Sequence, residues 1–325
     1  GDPYLRQSLV EAAAGHHGGP RVLPLPHEFE RQLGQIGPEA LEDAAAVIKL
    51  IGSVFPDASL EGITSPQGKR LSWELNGLLV QADWIGSNTD WFPPQPPDVP
   101  LRDYWIKAQQ RAAQAVTAAG LFGARPVSDG ATKILPAAPR PMQQEALITS
   151  LPDGPCLTII EDMTGAGKTE AALILTARMM AAGKGAGLFF ALPTMATANA
   201  MLGRLESAAP SLFDRAPTLA LTHGRSRYST AFRMIQARDP GHPEHVPYCG
   251  QWLAEDRRRV LLADVGVGTI DQALLAVLPT RFNALRLRAL SKHILIVDEA
   301  HSYDPYMQAQ LERLLTMQAR LGGSV

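Results

Sequence analysis

Cysteine is nearly missing from this chain: only Cys156 and Cys249 occur in 325 residues. They are far apart and without metal-ligand spacing, so they read as reduced thiols, not as a disulfide framework or a zinc site. Long apolar runs are missing too. No stretch is long enough to span a bilayer and no signal peptide is visible, so a soluble, cytoplasmic protein without membrane association is expected. Nor is there an excess of one charge: 30 Lys and Arg face 32 Asp and Glu, a net of -2. Any surface that attracts a polyanion must therefore be local. What is present is ample core material, with 46% hydrophobic and 19% charged residues. That is enough for about two domains.

Composition divides the chain in two, and no internal repeat is found. Residues 1–124 carry helical patterns over Leu41 to Ile51, Leu71 to Ile85 and Leu101 to Ala119, interrupted by the rigid loop Trp91-Phe92-Pro93-Pro94-Gln95-Pro96-Pro97. Breakers at Pro126, Pro136 and Pro139 mark residues 125–140 as a linker. From residue 141 to 325 short apolar runs alternate with Ala- and Leu-rich stretches. Leu157 to Ile160, Gly187 to Leu192, Leu219 to Leu221, Val260 to Ala263 and His293 to Val297 read as buried strands. Glu170 to Ala182 and Ile270 to Leu278 read as helices. Continuous hydrophobicity in the strands predicts an open α/β domain, its parallel sheet covered by helices on both faces. Its ligand is expected beyond the carboxyl ends of the strands.

Two motifs fall there. The run after Ile160 reads Glu161-Asp162-Met163-Thr164-Gly165-Ala166-Gly167-Lys168-Thr169 and leads into a helix. Its glycines let successive N–H groups turn toward phosphate oxygens at the positive end of that helix. Lys168 would reach the β- and γ-phosphates of ATP, and the Thr169 hydroxyl would bind Mg²⁺. Asp162 stands where the broad pattern has its first glycine, a departure usual in helicases. The second motif, Asp298-Glu299-Ala300-His301, ends a strand. Asp298 would hold Mg²⁺ through water, Glu299 would activate the attacking water, and His301 would relay nucleotide state. The wide separation of the two motifs disfavours a compact nucleotide kinase.

Between them, Leu192-Pro193-Thr194 and Val267-Gly268-Thr269-Ile270-Asp271-Gln272 each follow a strand and open a helix. Free N–H groups and hydroxyls there suit a nucleic-acid backbone. Ordinary helix capping by Thr194 and Thr269 explains the same residues. Gln143, in Arg140-Pro141-Met142-Gln143, precedes the phosphate loop at the distance where helicases place a glutamine that recognises adenine.

The wording of these runs then identifies a family. Val267-Gly268-Thr269-Ile270-Asp271-Gln272-Ala273-Leu274, Leu285-Arg286, Ile296 to Asp304, Ala191 to Met201, Thr222-His223-Gly224-Arg225-Ser226 and Gly167 to Ala172 resemble the CRISPR-associated helicase–nuclease of type I systems. That resemblance covers essentially the whole chain. It implies a DEAH-box superfamily 2 motor with an HD-type metal nuclease fused on its N-terminal side. Ala14-Gly15-His16-His17-Gly18-Gly19-Pro20 resembles the paired-histidine motif of that nuclease, and Leu78 to Asn88, with Asp83, its late aspartate segment. His16 and His17 offer imidazoles to a divalent transition metal and Asp83 a hard anionic ligand. Taken alone, adjacent histidines near a Gly-Pro turn are commonly solvated, and Asp83 beside Trp84 could simply be a hydrogen-bonding group on a helix.

The sequence begins at Gly1 and stops after Gly322-Gly323-Ser324-Val325. An internal piece of a longer protein is therefore expected. The family's earlier histidine and His-Asp pair would precede it, while its Ser-Ala-Thr motif and second RecA-like domain would follow. Little turnover is expected of this piece alone. For the parent, the resemblance implies recruitment by a guide-RNA surveillance complex. The motor would pull single-stranded DNA in a 3′-to-5′ direction with ATP and Mg²⁺, feeding the nuclease. Thr194, Arg225 and Thr269 would contact the DNA backbone, as would Arg257, Arg258 and Arg259, although three consecutive arginines more often form a solvated face. Two rivals stay open: a stand-alone or restriction-type motor without nuclease activity, and a nucleotide-dependent binding switch.

Overall fold

The computed structural model describes residues 3–19, 26–96, 98–121, 123–238 and 246–325. Gly1, Pro20 and Pro97, named above, lie outside the described residues. Two compact units divide the chain, Gly1–Asn76 and Gly77–Val325.

The first unit is helical. Helix α1 (Pro3–Ala14) runs into a 3₁₀ turn, Gly15–His17, which Gly18 closes with φ 103°. Helices α2 (Pro26–Leu33) and α3 (Pro38–Val54) follow, and α4 (Ser65–Gly86) begins in this unit and ends in the next. Asn76 Nδ2 donates to Ala12 O at 2.7 Å, which ties α4 to the end of α1.

In the second unit the second half of α4 joins the core through Val80 and Ile85. It is followed by α5 (Leu101–Ala118), α6 (Gly130–Lys133) and α7 (Pro141–Ile148). The residues read as a linker pack down: Val127 N donates to Leu212 O at 3.0 Å and Arg125 N to Asp214 Oδ1 at 2.9 Å. Next come α8 (Lys168–Ala181), β1 (Gly187–Leu192), α9 (Met195–Ala208), β2 (Leu219–Thr222), α10 (Thr230–Gln236) and α11 (Gln251–Ala254). The chain continues through β3 (Val265–Thr269), α12 (Ile270–Leu274), α13 (Asn283–Ser291), β4 (His293–Val297) and α14 (Pro305–Arg320). The strands form a parallel sheet in the order β2-β3-β1-β4.

Burial of both faces explains the unbroken apolar strands. Leu188, Phe190 and Leu192 of β1 pack with α8 and α9, while Phe189 and Ala191 pack with α12, α13 and α14. Among the described residues no helix is long and apolar enough to cross a membrane.

Three expected elements differ. Val260 to Ala263 is not a strand: Val260–Leu262 form a 3₁₀ turn, and the strand is Val265–Thr269. The turn bonds locally, Leu262 N to Arg259 O at 2.8 Å, while Val260 and Leu261 are buried all the same. An apolar run reports burial before it reports conformation. Leu157 to Ile160 is extended but belongs to no strand. The backbone there pairs with Val325, whose N–H donates to Cys156 O and whose carbonyl accepts from Thr158 N, both at 2.9 Å, and Cys156 N donates to Ser324 Oγ at 3.2 Å. Leu295 N in turn donates to Ser324 O at 3.1 Å, so Ser324 and Val325 stand between β4 and this segment. Finally, α12 stops at Leu274.

Candidate nucleotide and nuclease sites

Each motif of the second unit sits at a carboxyl end of the sheet. Between the extended segment and α8 the phosphate loop curls through two left-handed glycines, Gly165 at φ 81° and Gly167 at φ 91°. Gly167 is required twice over, because a Cβ there would also lie 2.3 Å from Gln143 Nε2. Gln143 is buried at the start of α7. Its Nε2 donates to Gly167 O at 3.4 Å and its Oε1 accepts from Arg140 N at 2.9 Å. The Arg140 guanidinium donates to Gly165 O, so the first turn of α7 braces the loop from outside. Lys168 Nζ donates to Asp162 O at 2.6 Å and to Met163 O at 3.3 Å. The ammonium thus sits in the mouth of its own loop, where phosphate oxygens would replace those carbonyls.

At the end of β4, Asp298 N donates to Ala191 O at 2.9 Å and keeps register with β1. Glu299 then turns into the left-handed region at φ 51°, a costly conformation for a residue with a side chain. Ser302 N and Oγ both donate to Glu299 O at 2.8 Å, and Tyr303 Oη donates to Asp298 O at 2.8 Å. The strained turn is therefore pinned from its far side. Burial, reinforced by the Glu299 charge, raises the Asp298 carboxyl above the usual range, against the pull of Lys168 and Arg204. A divalent cation would relieve that crowding of negative charge. His301 Nε2 lies 3.1 Å from Glu299 Oε2 at the exposed edge.

Lys168, Thr169, Asp298, Glu299 and His301 line one cleft of about 590 Å³. Its donor set of an ammonium, a hydroxyl and two carboxylates, with a curled loop of N–H groups, fits a magnesium–nucleoside triphosphate. Thr164, Gly165, Ala166 and Gln143 belong to the loop and its brace. Two supporting groups had escaped the sequence reading, Arg140 as the brace and Tyr303 as the pin. The spacing of the motifs holds no signal for either role.

The other three strand ends carry the candidate nucleic-acid contacts, none of them lining that cleft. Thr194 is exposed and caps α9, its Oγ1 accepting from Thr197 N at 3.1 Å. Thr269 makes no such cap and is only 6% exposed. Arg225 is exposed, and its N–H donates to His223 Nδ1 at 3.1 Å. Of the three arginines only Arg257 is exposed. Arg257 donates to Gly224 O at 3.1 Å, and Arg258 and Arg259 are engaged with Asp256, Glu255 and aromatic rings.

In the first unit His16 and His17 share the 3₁₀ turn after α1, their rings 4.0 Å apart. His16 Nδ1 faces Ala13 O, which can only accept, so Nδ1 donates and Nε2 keeps its lone pair for a metal. In the second unit Asp83 is half-buried near the end of α4 and accepts from Ser87 Oγ at 3.4 Å. Two imidazoles and a carboxylate are a donor set suited to a divalent transition metal.

Comparison with known proteins covers the stretches that carry both motif sets. The profile "Cas3, HD domain" matches residues 4–92. The CRISPR-associated endonuclease/helicase Cas3 of Escherichia coli (strain K12) is 36% identical over 97% of this chain and 37% of its own length. A crystal structure of T. fusca Cas3 with AMPPNP superposes with a TM-score of 0.85 at 32% identity, covering 99% of this chain and 36% of that one. A CRISPR RNA-guided surveillance complex, pre-nicking, contains a chain that matches with a TM-score of 0.65 at 27% identity, covering 98% of this chain and 32% of that one. The chain therefore spans about a third of the length of the relatives it matches. With a phosphate loop, an Asp-Glu-Ala-His strand end and the HD match in one sequence, it is similar along almost all of its length to about a third of the CRISPR-associated endonuclease/helicase Cas3.

Proposed function

We propose that the protein containing this sequence is an ATP-dependent DNA helicase, translocating 3′-to-5′, coupled to a metal-dependent nuclease that degrades single-stranded target DNA in CRISPR defence. The observation that carries the motor reading is the single cleft lined by Lys168, Thr169, Asp298 and Glu299. Lys168 and the loop N–H groups would take the phosphates, Thr169 and Asp298 the Mg²⁺, and Glu299 the attacking water. Gln143, bonded to the loop, would also meet the adenine. His301, paired with Glu299, would pass nucleotide state outward. Thr194, Arg225 and Thr269 would track the DNA backbone along the remaining strand ends. His16, His17 and Asp83 would ligate the nuclease metals, supported by the HD match that spans all three. The domain reading is an HD portion at 1–124, a linker at 125–140 and the first RecA-like domain at 141–325. Likeness to a chain of a surveillance complex supports recruitment by a guide-RNA complex.

The full-length protein tests this division of labour. Lys168→Ala and Glu299→Gln should lower DNA-stimulated phosphate release by about 10²–10³-fold while single-strand nicking persists. Asp83→Ala and His17→Ala should abolish nicking and leave phosphate release within about twofold. Both activities lost equally in both sets would overturn the proposal.

A further inference from the structure

The loop after α11 carries Asp256, Arg257, Arg258 and Arg259, three adjacent cations that charge repulsion alone would spread into solvent. Arg258 is instead locked in place. Its Nε lies 2.9 Å from Asp256 Oδ1 and 3.1 Å from Oδ2, and its Nη2 also donates to Oδ2. The guanidinium carbon is 4.8 Å from the Trp84 ring centroid and 4.5 Å from that of Phe282, while the two rings meet edge-on at 5.0 Å. Arg259 also reaches Trp84, at 5.2 Å, and stacks on Trp252 at 4.5 Å. A planar fork that pairs a carboxylate while lying against rings is the geometry of arginine and not of lysine.

The backbone beside this cluster is strained. Among the described residues only Phe282, at φ 63°, and Glu299 are non-glycine residues with positive φ. A bulky residue there costs about 1–3 kcal/mol and persists only where its surroundings fix it. Phe282 caps α13, which presses on α4 a second time. A Cβ at Gly77 would lie 2.7 Å from Ala284 O and 2.8 Å from Arg288 Cβ. Gly77 and Trp84 are two helical turns apart, so both contacts grip one face of α4. Asp83 is the residue before Trp84, about 100° around the same helix.

We propose that Arg258 is a positioning residue for Asp83. By fixing Trp84 against Phe282 it sets the rotation of the second half of α4, and with it the direction in which the Asp83 carboxylate meets the nuclease metal. This rests on the reading of Asp83 as a metal ligand.

The test uses the full-length protein with Arg258→Ala, Arg258→Lys and Asp83→Ala. Mn²⁺ binding is measured by calorimetry, nicking is measured across a Mn²⁺ titration, and phosphate release is followed in parallel. Arg258→Ala should weaken Mn²⁺ binding about tenfold and shift half-maximal nicking to correspondingly higher metal, with excess Mn²⁺ restoring most of the rate. Phosphate release measured without DNA should stay within about twofold, and Arg258→Lys should fall between wild type and alanine in metal dependence. Unaltered metal dependence in Arg258→Ala, with nicking lost in Asp83→Ala, overturns the proposal, as does a parallel loss of both activities without a metal shift. If Asp83→Ala itself binds Mn²⁺ and nicks normally, the ligand reading fails instead. Should Arg258→Ala not fold, Arg258→Lys and Asp256→Asn carry the same comparison.

Discussion

Helices α3 and α8 both carry apolar residues at three- and four-residue spacing, yet they end in opposite circumstances. Helix α8 buries Leu173, Ile174, Leu175 and Met179 under the sheet. Helix α3 buries none of its residues, and Ile48 is 70% exposed. The periodic pattern makes a helix in both cases, whereas only a neighbouring surface turns it into core. The difference extends to function. The phosphate loop opens a helix fixed along its length by packing, while the paired histidines ride on a short turn after α1.

Four changes would break or sharpen that comparison. The largest effect is expected from Ile174→Ala in α8, a loss of about 2–5 kcal/mol in denaturant unfolding. A cost near zero would mean that α8 is not the central support. Next is the buried end of β4, where burial lowers the His293 imidazole to about 4. The unfolded chain binds that proton first, near pH 6.5, so stability is full above this pH, declines toward pH 4, and levels below. The loss should reach about 3 kcal/mol. Unfolding curves at pH 7 and pH 5 would reveal it, and His293→Leu should flatten the slope. Smaller again is Gly167→Ala, which sets backbone strain of about 1–3 kcal/mol against nucleotide binding. Fluorescent nucleotide titration should show weakening of roughly tenfold or more, and unchanged affinity would show that the loop refolds. Least of all, Ile48→Ala in α3 should alter stability by no more than about 0.5 kcal/mol. A core-sized loss there would place Ile48 in a buried interface in solution.

Much of the candidate nucleotide cleft was legible in the sequence, because phosphate and magnesium chemistry demands particular residue types at strand ends. Lys168, Thr169, Asp298 and Glu299 do converge on one cleft. Strands β1, β2 and β4 were legible because both of their faces are buried. Strand β3 was not, since its Gly266 and Gly268 make it less apolar than the neighbouring turn at Val260–Leu262. The segment at Leu157 needed a pairing partner from the far end of the sequence, which no local pattern announces. The same holds for Arg140, Tyr303 and the contact of Arg258 with Trp84 and Phe282. Their roles arise from residues brought together only by the fold.

Ser324 and Val325 act as a gauge. They occupy one strand position between β4 and the extended segment that leads to the phosphate loop. The span from loop to carboxylates is then two interstrand steps, about 10 Å. Main-chain hydrogen bonds set that width. Substituting the side chains that line the cleft would change what it grips, and widening it would take a change in strand pairing.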